Sequence, residues 1–410
     1  MIVHRCCGAV AAGAKVLIVL AVLGMYVGSP SGAPGATSQA LWVFPSSSFA
    51  NPITDSTAGQ TLVTNSAASG VGLLYLSVYS STPNAAGRYM YDDAAIANLI
   101  AQAHNAGVMV DAAYGAPDWP TFGCDPNGFP LQRIVEVGAY NQDNPTAKFD
   151  GVVLDVEPPE PQDTAAYQAL LAQYQCMRDK LPSDVDLSVA IRFFWNDLVQ
   201  YPANTGATKP VYAHVIDMNV RNVVVMGYRD FAGPADCTSD GIVCLDQDEI
   251  SYAQSISKFD IILAGLETSD PATTGISNKE TFFEEGQSVM NGQAQAVLDH
   301  FGILSGLGGF AVHNYQNSYL SNASVLWPQT NSSFPAVAHE LTITSVTWMN
   351  GQIGLHGTGI AKRVYKLETS PDLTPDSFVP IDSATTDANG VLDDSTAVAG
   401  GKAFYRFSYP

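Results

Sequence analysis

The sequence predicts an α/β protein, a (β/α)8 barrel followed by a small C-terminal β-sandwich. Three observations carry that expectation. Eight short β-branched runs (41–44, 72–79, 108–114, 151–157, 187–195, 223–228, 260–267 and 309–315) alternate with helical stretches. No glycine-rich phosphate loop follows the first run, where Phe44-Pro45-Ser46-Ser47-Ser48 stands, so a doubly wound open sheet is disfavoured. Beyond residue 327 the pattern switches to strict alternation with Asn350-Gly351 and Asn389-Gly390 turn signals.

The elements follow in order. Residues 1–40 read as a signal peptide and small-residue linker: Arg5 and Lys15 precede the apolar run 16–28, and a stretch of small residues follows. That run is too short to span a bilayer, so the expected location is secreted, periplasmic or cell-surface, with no membrane contact beyond the export signal. The barrel is expected over 41–327. Ile96, Leu99, Ile100 and Ala103 have the i, i+3, i+4, i+7 spacing of a buried helix face, which ends at Asn105-Ala106-Gly107. Tyr167, Leu170, Leu171 and Tyr174 repeat it, and a long helix is expected from about 279 to 301. A Ser/Asn/Pro linker covers 328–340, and 341–410 forms the β-sandwich, read as an accessory module without chemistry.

Composition narrows the function. The 410 residues are 46% hydrophobic and only 14% charged, which excludes a disordered chain. The net charge of −21 repels phosphate backbones and argues against a nucleic-acid partner. Beyond the export signal four cysteines remain, an even count that favours two disulfides in an oxidising compartment. Cys237 and Cys244 lie in one short stretch and are expected to pair, leaving Cys124 for Cys176. No cysteine or histidine cluster has zinc spacing, and neither a metal nor a cofactor is expected.

In such a barrel, polar residues at the C-terminal strand ends are the functional suspects. The fourth run, Phe149-Asp-Gly-Val-Val-Leu-Asp-Val-Glu157, puts Gly151, Val153, Asp155 and Glu157 on one face and Val152, Leu154 and Val156 on the other. The aliphatic set must pack on helices, so Asp155 and Glu157 point inward, about 7 Å apart by the strand rise. Two carboxyls that close cannot both ionise freely, and one is pushed toward a general-acid value. Asp111 on the third run, Arg192 and Trp195 on the fifth, Tyr79 on the second, and Trp119 and Phe122 in the loop after the third are expected to line a sugar cleft. Aromatic faces stack on pyranose rings, and polar neighbours take the hydroxyls.

The fourth run resembles the DGxxDxDxE-type signature of family 18 glycoside hydrolases, the chitinases and endo-β-N-acetylglucosaminidases. Asp150, Gly151, Asp155 and Glu157 fall on its first Asp, Gly, last Asp and catalytic Glu, with Val153 in place of the middle Asp. Met226 and Tyr228 match the family's M-x-Y-D motif, with Arg229 displacing the Asp by one position. Gly308-Gly309 and His313 align with its G-G-x-x-x-W segment, His313 standing for the Trp. The resemblance implies a poly- or oligosaccharide substrate and a retaining hydrolysis assisted by the substrate's 2-acetamido group. Glu157 would be the acid, Asp155 would orient the acetamido group and Tyr228 would support the oxazolinium ion; Asp150, Met226 and His313 would serve substrate binding.

Two alternatives stand beside it. Glu267 ends the seventh run, and acid at the fourth strand with nucleophile at the seventh is the layout of the two-carboxylate retaining glycosidases, in which Glu157 would be acid/base and Glu267 nucleophile. His313 would then be a substrate ligand or a partner of Glu267. From another class, the chain would be a carbohydrate-binding barrel without turnover, as chitinase-like lectins are.

Overall fold

A computed structural model describes residues 39–45, 50–160, 162–302 and 305–315, together with six strands between 342 and 408. The expected signal peptide and the 328–340 linker lie outside the described residues, apart from Gln39 and Ala40, which open the first strand. The chain divides into two compact units, the barrel within Thr37–Val337 and the later strands within Ala338–Pro410.

The barrel strands are β1 (Gln39–Val43), β2 (Leu73–Ser77), β3 (Met109–Tyr114), β4 (Gly151–Leu154) and β5 (Asp186–Arg192), then β8 (Asn222–Met226), β9 (Ile262–Glu267) and β10 (Leu307–His313). They close in the order β1-β10-β9-β8-β5-β4-β3-β2. Every barrel pairing is parallel, including the closing β1–β10 ladder. Between β5 and β8 sits an antiparallel hairpin, β6 (Leu198–Tyr201) and β7 (Ala207–Pro210), which the sequence pattern did not reveal. Leu198, Ala207 and Thr208 are exposed and Val199 is its one fully buried residue, too little to write an apolar alternation.

The helices are α1 (Ser56–Ala68), α2 (Asp93–Asn105), α3 (Phe129–Asp143), α4 (Thr164–Lys180), α5 (Val211–Asp217), α6 (Ile242–Leu245), α7 (Gln247–Ser255), α8 (Pro271–Thr274) and α9 (Gln287–Phe301). Helix α2 shows why they form. The Asp92 carboxylate accepts from the Ala94 and Ala95 amides, satisfying donors the first turn leaves open. Ile96, Leu99, Ile100 and Ala103 are then buried on one stripe. Each large member of that stripe stabilises by roughly 1.5–3 kcal/mol. The long helix expected from 279 begins only at Gln287. Residues Asn278–Glu280 form a separate 3-10 turn closed by a Ser277/Glu280 capping box, and extended Thr281 breaks the run.

Strand alternation sorts the hydrophobic residues into two layers. An outer layer between sheet and helices holds Val152, Leu154, Val156, Leu187, Val189 and Ile191 with the helix stripes. An inner plug holds Trp42, Tyr75, Ala113, Val153, Ala190, Val224 and Ala311. That plug fills the barrel and leaves polar chemistry to its two ends.

Both expected disulfides form, Cys124–Cys176 and Cys237–Cys244. In the second unit, β11 (Thr342–Met349), β12 (Gln352–Thr358) and β15 (Val391–Ala397) make one three-stranded antiparallel sheet. A second is made by β13 (Val364–Ser370), β14 (Val379–Thr385) and β16 (Phe404–Ser408). Among the described residues no helix is long and apolar enough to cross a membrane.

Candidate active site

Strand β4 keeps its alternation past Leu154, because the Asp155 amide still donates to the Tyr114 carbonyl of β3 at 2.8 Å. Asp155 therefore stands inward, directly above Val153 in the plug. Hydrocarbon beneath it supplies no proton partner. Burial pushes its carboxyl up to about 6, the Glu157 charge adds to the rise, and His313 and Arg192 work against it. Its Oδ1 is buried without a hydrogen-bond partner among the described residues.

Glu157 sits one pleat higher and is far more open. Its Oε2 lies 3.2 Å from Arg192 Nε, with 40% of the Glu157 side chain exposed. Arg192 Nη1 also donates to the Pro158 carbonyl at 3.3 Å and lies 3.7 Å from Glu160 Oε1. An ion pair this exposed contributes under about 1 kcal/mol, so an arriving ligand can displace the guanidinium.

Tyr228 follows β8, and its ring leans over β9 at Gly265. A Cβ at Gly265 would come within 2.7 Å of the Tyr228 ring, so only glycine there lets the ring lie down. Burial keeps the phenol well above its ordinary value, and the charges of Glu267, Asp155, Glu157 and Asp246 push the same way. Tyr228 is thus a proton-bearing donor throughout the working range. Met226 lies one pleat below it, half-buried against the plug.

Glu267 ends β9 and is almost wholly buried. Its Oε1 accepts from the Thr268 and Ser269 amides at 2.8 and 2.7 Å, and its Oε2 lies 2.8 Å from His313 Nδ1. Burial alone would raise it, but the His313 charge and hydrogen bond, with the Ser269 contacts, outweigh burial and hold it below its ordinary value. For His313 burial favours the neutral ring, yet Glu267, Asp155 and Glu157 together raise it.

A cavity of about 540 Å³ lies over the ends of β1 to β4. Two carboxylates lie in its wall, Asp155 from the end of β4 and Asp118 from the loop after β3, while Glu157 stands beyond the lining. The remaining wall is largely aromatic, with Trp42, Phe44, Tyr79, Trp119, Phe122 and Phe129. Phe129 meets Tyr79 and Trp119 edge-on at 5.6 and 6.4 Å, and Trp42 stacks on Phe44 at 5.7 Å. Trp42 Nε1 is buried without a partner among the described residues.

The structure thus gathers Asp155, Glu157, Arg192, Tyr228, Glu267 and His313 at one end of the barrel, with Tyr79, Trp119 and Phe122 beside them. Three expected site residues lie elsewhere. Asp111 points inward as its alternation requires, but in the N-terminal half, where it is wholly buried and pairs with Arg221. Burial lifts it to about 6 against the pull of Arg221. A Cβ at neighbouring Gly151 would strike Asp111 Oδ1 at 2.7 Å, which ties that motif glycine to this ion pair. Asp150 also belongs to the far end, accepting from the Val110 amide at 2.7 Å and lying 2.9 Å from His104 Nε2. Trp195 lies past the end of β5 and turns into the outer layer, fully buried and edge-on to Tyr167 at 6.1 Å. The sequence reading missed Trp42, Phe44 and Phe129. Aromatic residues two apart on β1 were the available signal for the first two.

No protein-family model matches the chain, and no curated protein does. Solved structures do resemble it. A chitinase from Bacteroides thetaiotaomicron is 11% identical, with 68% of this chain and 89% of that chain covered at a TM-score of 0.44. An endo-beta-N-acetylglucosaminidase from Cordyceps militaris is 9% identical, with 74% and 87% covered at 0.42. The spore cortex-lytic enzyme SleL from Bacillus cereus is 15% identical, with 60% and 55% covered at 0.37, so this chain spans about half of its length. At these values function is read from the chain's own residues.

Proposed function

We propose that the chain is a secreted glycoside hydrolase that cleaves a β-linked glycan carrying a 2-acetamido sugar at the scissile bond. The observation that carries this reading is Asp155: a half-buried carboxylate in the wall of an aromatic cavity, its Oδ1 buried without a hydrogen-bond partner among the described residues, one pleat from a more exposed Glu157. An acetamido N–H would satisfy that oxygen, and the aromatic wall would take the apolar sugar faces.

The roles follow from each group's surroundings. Glu157, at the open rim, gives its proton to the glycosidic oxygen as the C1–O bond breaks. Asp155 accepts the acetamido N–H and turns the amide oxygen toward C1, where it closes an oxazolinium ring. The Tyr228 hydroxyl donates to that ring. Water then attacks C1 with Glu157 as base, reopening the ring and returning the β configuration. Family 18 enzymes depart from the two-carboxylate scheme in this way.

The two-carboxylate alternative asks Glu267 to attack the sugar. Both of its oxygens are already engaged, one by two amides and one by His313, and the side chain is almost wholly buried. Asp155, not Glu267, is the carboxyl that feels Glu157 as its strongest charged neighbour. The non-catalytic alternative predicts binding without turnover.

The test is proton NMR of the products from an N-acetylglucosamine oligomer and from the glucose oligomer of the same linkage. The reading predicts initial β product from the first and none from the second. Initial α product, or equal cleavage of both, would refute acetamido assistance.

A further inference from the structure

The sequence motif leaves Asp155 without the acid below it that could share its proton, since Val153 occupies that place in the plug. Burial and Glu157 both favour the protonated form, which cannot accept an acetamido N–H through the oxygen carrying the proton. Something must hold Asp155 as a carboxylate. The wall opposite β4 contains a pair with that capacity. His313, the last residue of β10, directs Nδ1 to Glu267 Oε2 at 2.8 Å, and Glu267 is locked in turn by the Thr268 and Ser269 amides. The imidazole ring lies 5.3 Å from Phe44 and 6.1 Å from Tyr228, so its plane is set on two further sides.

We propose that Glu267 and His313 are a positioning pair for the hydrolysis: Glu267 fixes the imidazole in its cationic form, and that cation holds Asp155 as the acceptor of the substrate's amide proton. The proposal rests on the hydrolase reading and extends it to two residues that touch no reacting atom. Every element around the ring takes part in the balance. From β9, Glu267 favours the cation; from β4, Asp155 and Glu157 do the same; the Tyr228 phenol after β8 stays neutral; Phe44 after β1 contributes only an apolar face; and the Asn314 amide, a donor whose Nδ2 lies 3.2 Å from Nδ1, works against a proton there. Arg192 on β5 aids the Asp155 carboxylate from the other side.

The sign of each perturbation is fixed. Removing the imidazole cation raises Asp155; removing the Glu267 charge lowers His313, and Asp155 follows upward. The experiment is NMR titration of the full chain, reading the His313 ring nitrogens and the Asp155 carboxyl carbon in wild type, His313→Gln and Glu267→Gln. In wild type His313 carries both ring protons at pH 7. In His313→Gln the Asp155 midpoint moves up by roughly one pH unit, the low end of what an opposite charge contributes, because the lowering effect of His313 is gone. In Glu267→Gln the His313 midpoint falls by a similar amount.

The acid limb of kcat/KM rises with Asp155 in both variants, whereas a merely structural role would lower activity at every pH without moving that limb. A neutral His313 at pH 7 in wild type overturns the proposal even if neither variant folds, and so does an unmoved Asp155 midpoint in His313→Gln. Absence of turnover on N-acetylglucosamine glycans would instead count against the hydrolase reading, leaving both titrations readable.

Discussion

Behind β8, against the Gly227 that precedes Tyr228, Asp246 and Glu249 are fully buried at the start of α7, and none of their four carboxyl oxygens has a hydrogen-bond partner among the described residues. Burial pushes Glu249 from an ordinary 4.5 up to about 8, with a smaller push from Asp248, and burial and Glu249 raise Asp246 as well. The folded state therefore keeps protons that the unfolded chain releases. The stability this contributes is fully present below the unfolded value near 4.5 and is lost as pH rises through about 8. A rise from 4.5 to about 8 corresponds to roughly 4–5 kcal/mol lost by pH 8. Glu249→Gln keeps the shape and cannot ionise in either state, so it should recover most of that. The assay is urea unfolding followed by circular dichroism at pH 4.5 and pH 8. The expected result is near-equality at pH 4.5 and a variant more stable by several kcal/mol at pH 8. Equal stabilities at both values would refute the protonated, buried Glu249.

Other perturbations have equally definite outcomes. Tyr228→Phe removes one donor to a developing charge and should lower kcat by roughly 10- to 1000-fold with little change in KM, read from steady-state kinetics. Phe122→Ala removes a half-exposed wall of the cavity, so oligosaccharide affinity should weaken by about 1 kcal/mol in titration calorimetry while thermal stability holds. Replacing Cys124 and Cys176 by serine reopens a 52-residue loop and should cost about 4 kcal/mol of barrel stability in denaturant unfolding.

The fold was legible because its chemistry is periodic. Val152, Leu154 and Val156 could only be outside a barrel, which fixed Asp155 and Glu157 inside it. The same rule placed Asp111 inward but carried no information on depth. A third-position residue of β3 lies below the plug layer, and its partner Arg221 is 110 positions away in sequence. Trp195 was misplaced because β5 ends at Arg192, and alternation says nothing beyond the last ladder residue. The Glu267–His313 contact was anticipated as one of two options for His313. Choosing between them required the register in which β9 and β10 pair these residues side by side. The hairpin is invisible because Val199 alone among its residues is fully buried, and the Phe129 platform because a helix-starting aromatic reads as packing.

In the proposed reaction the carboxyl at the rim of β4 donates the proton that breaks a glycosidic bond. The most direct measurement compares wild type with Glu157→Gln on an N-acetylglucosamine oligomer, scoring released reducing ends alongside oligomer affinity. The expected result is turnover by wild type, a loss of at least 100-fold in the variant, and affinity within a few-fold of wild type. Undiminished turnover by Glu157→Gln, or none by the wild type on any such glycan, would contradict it.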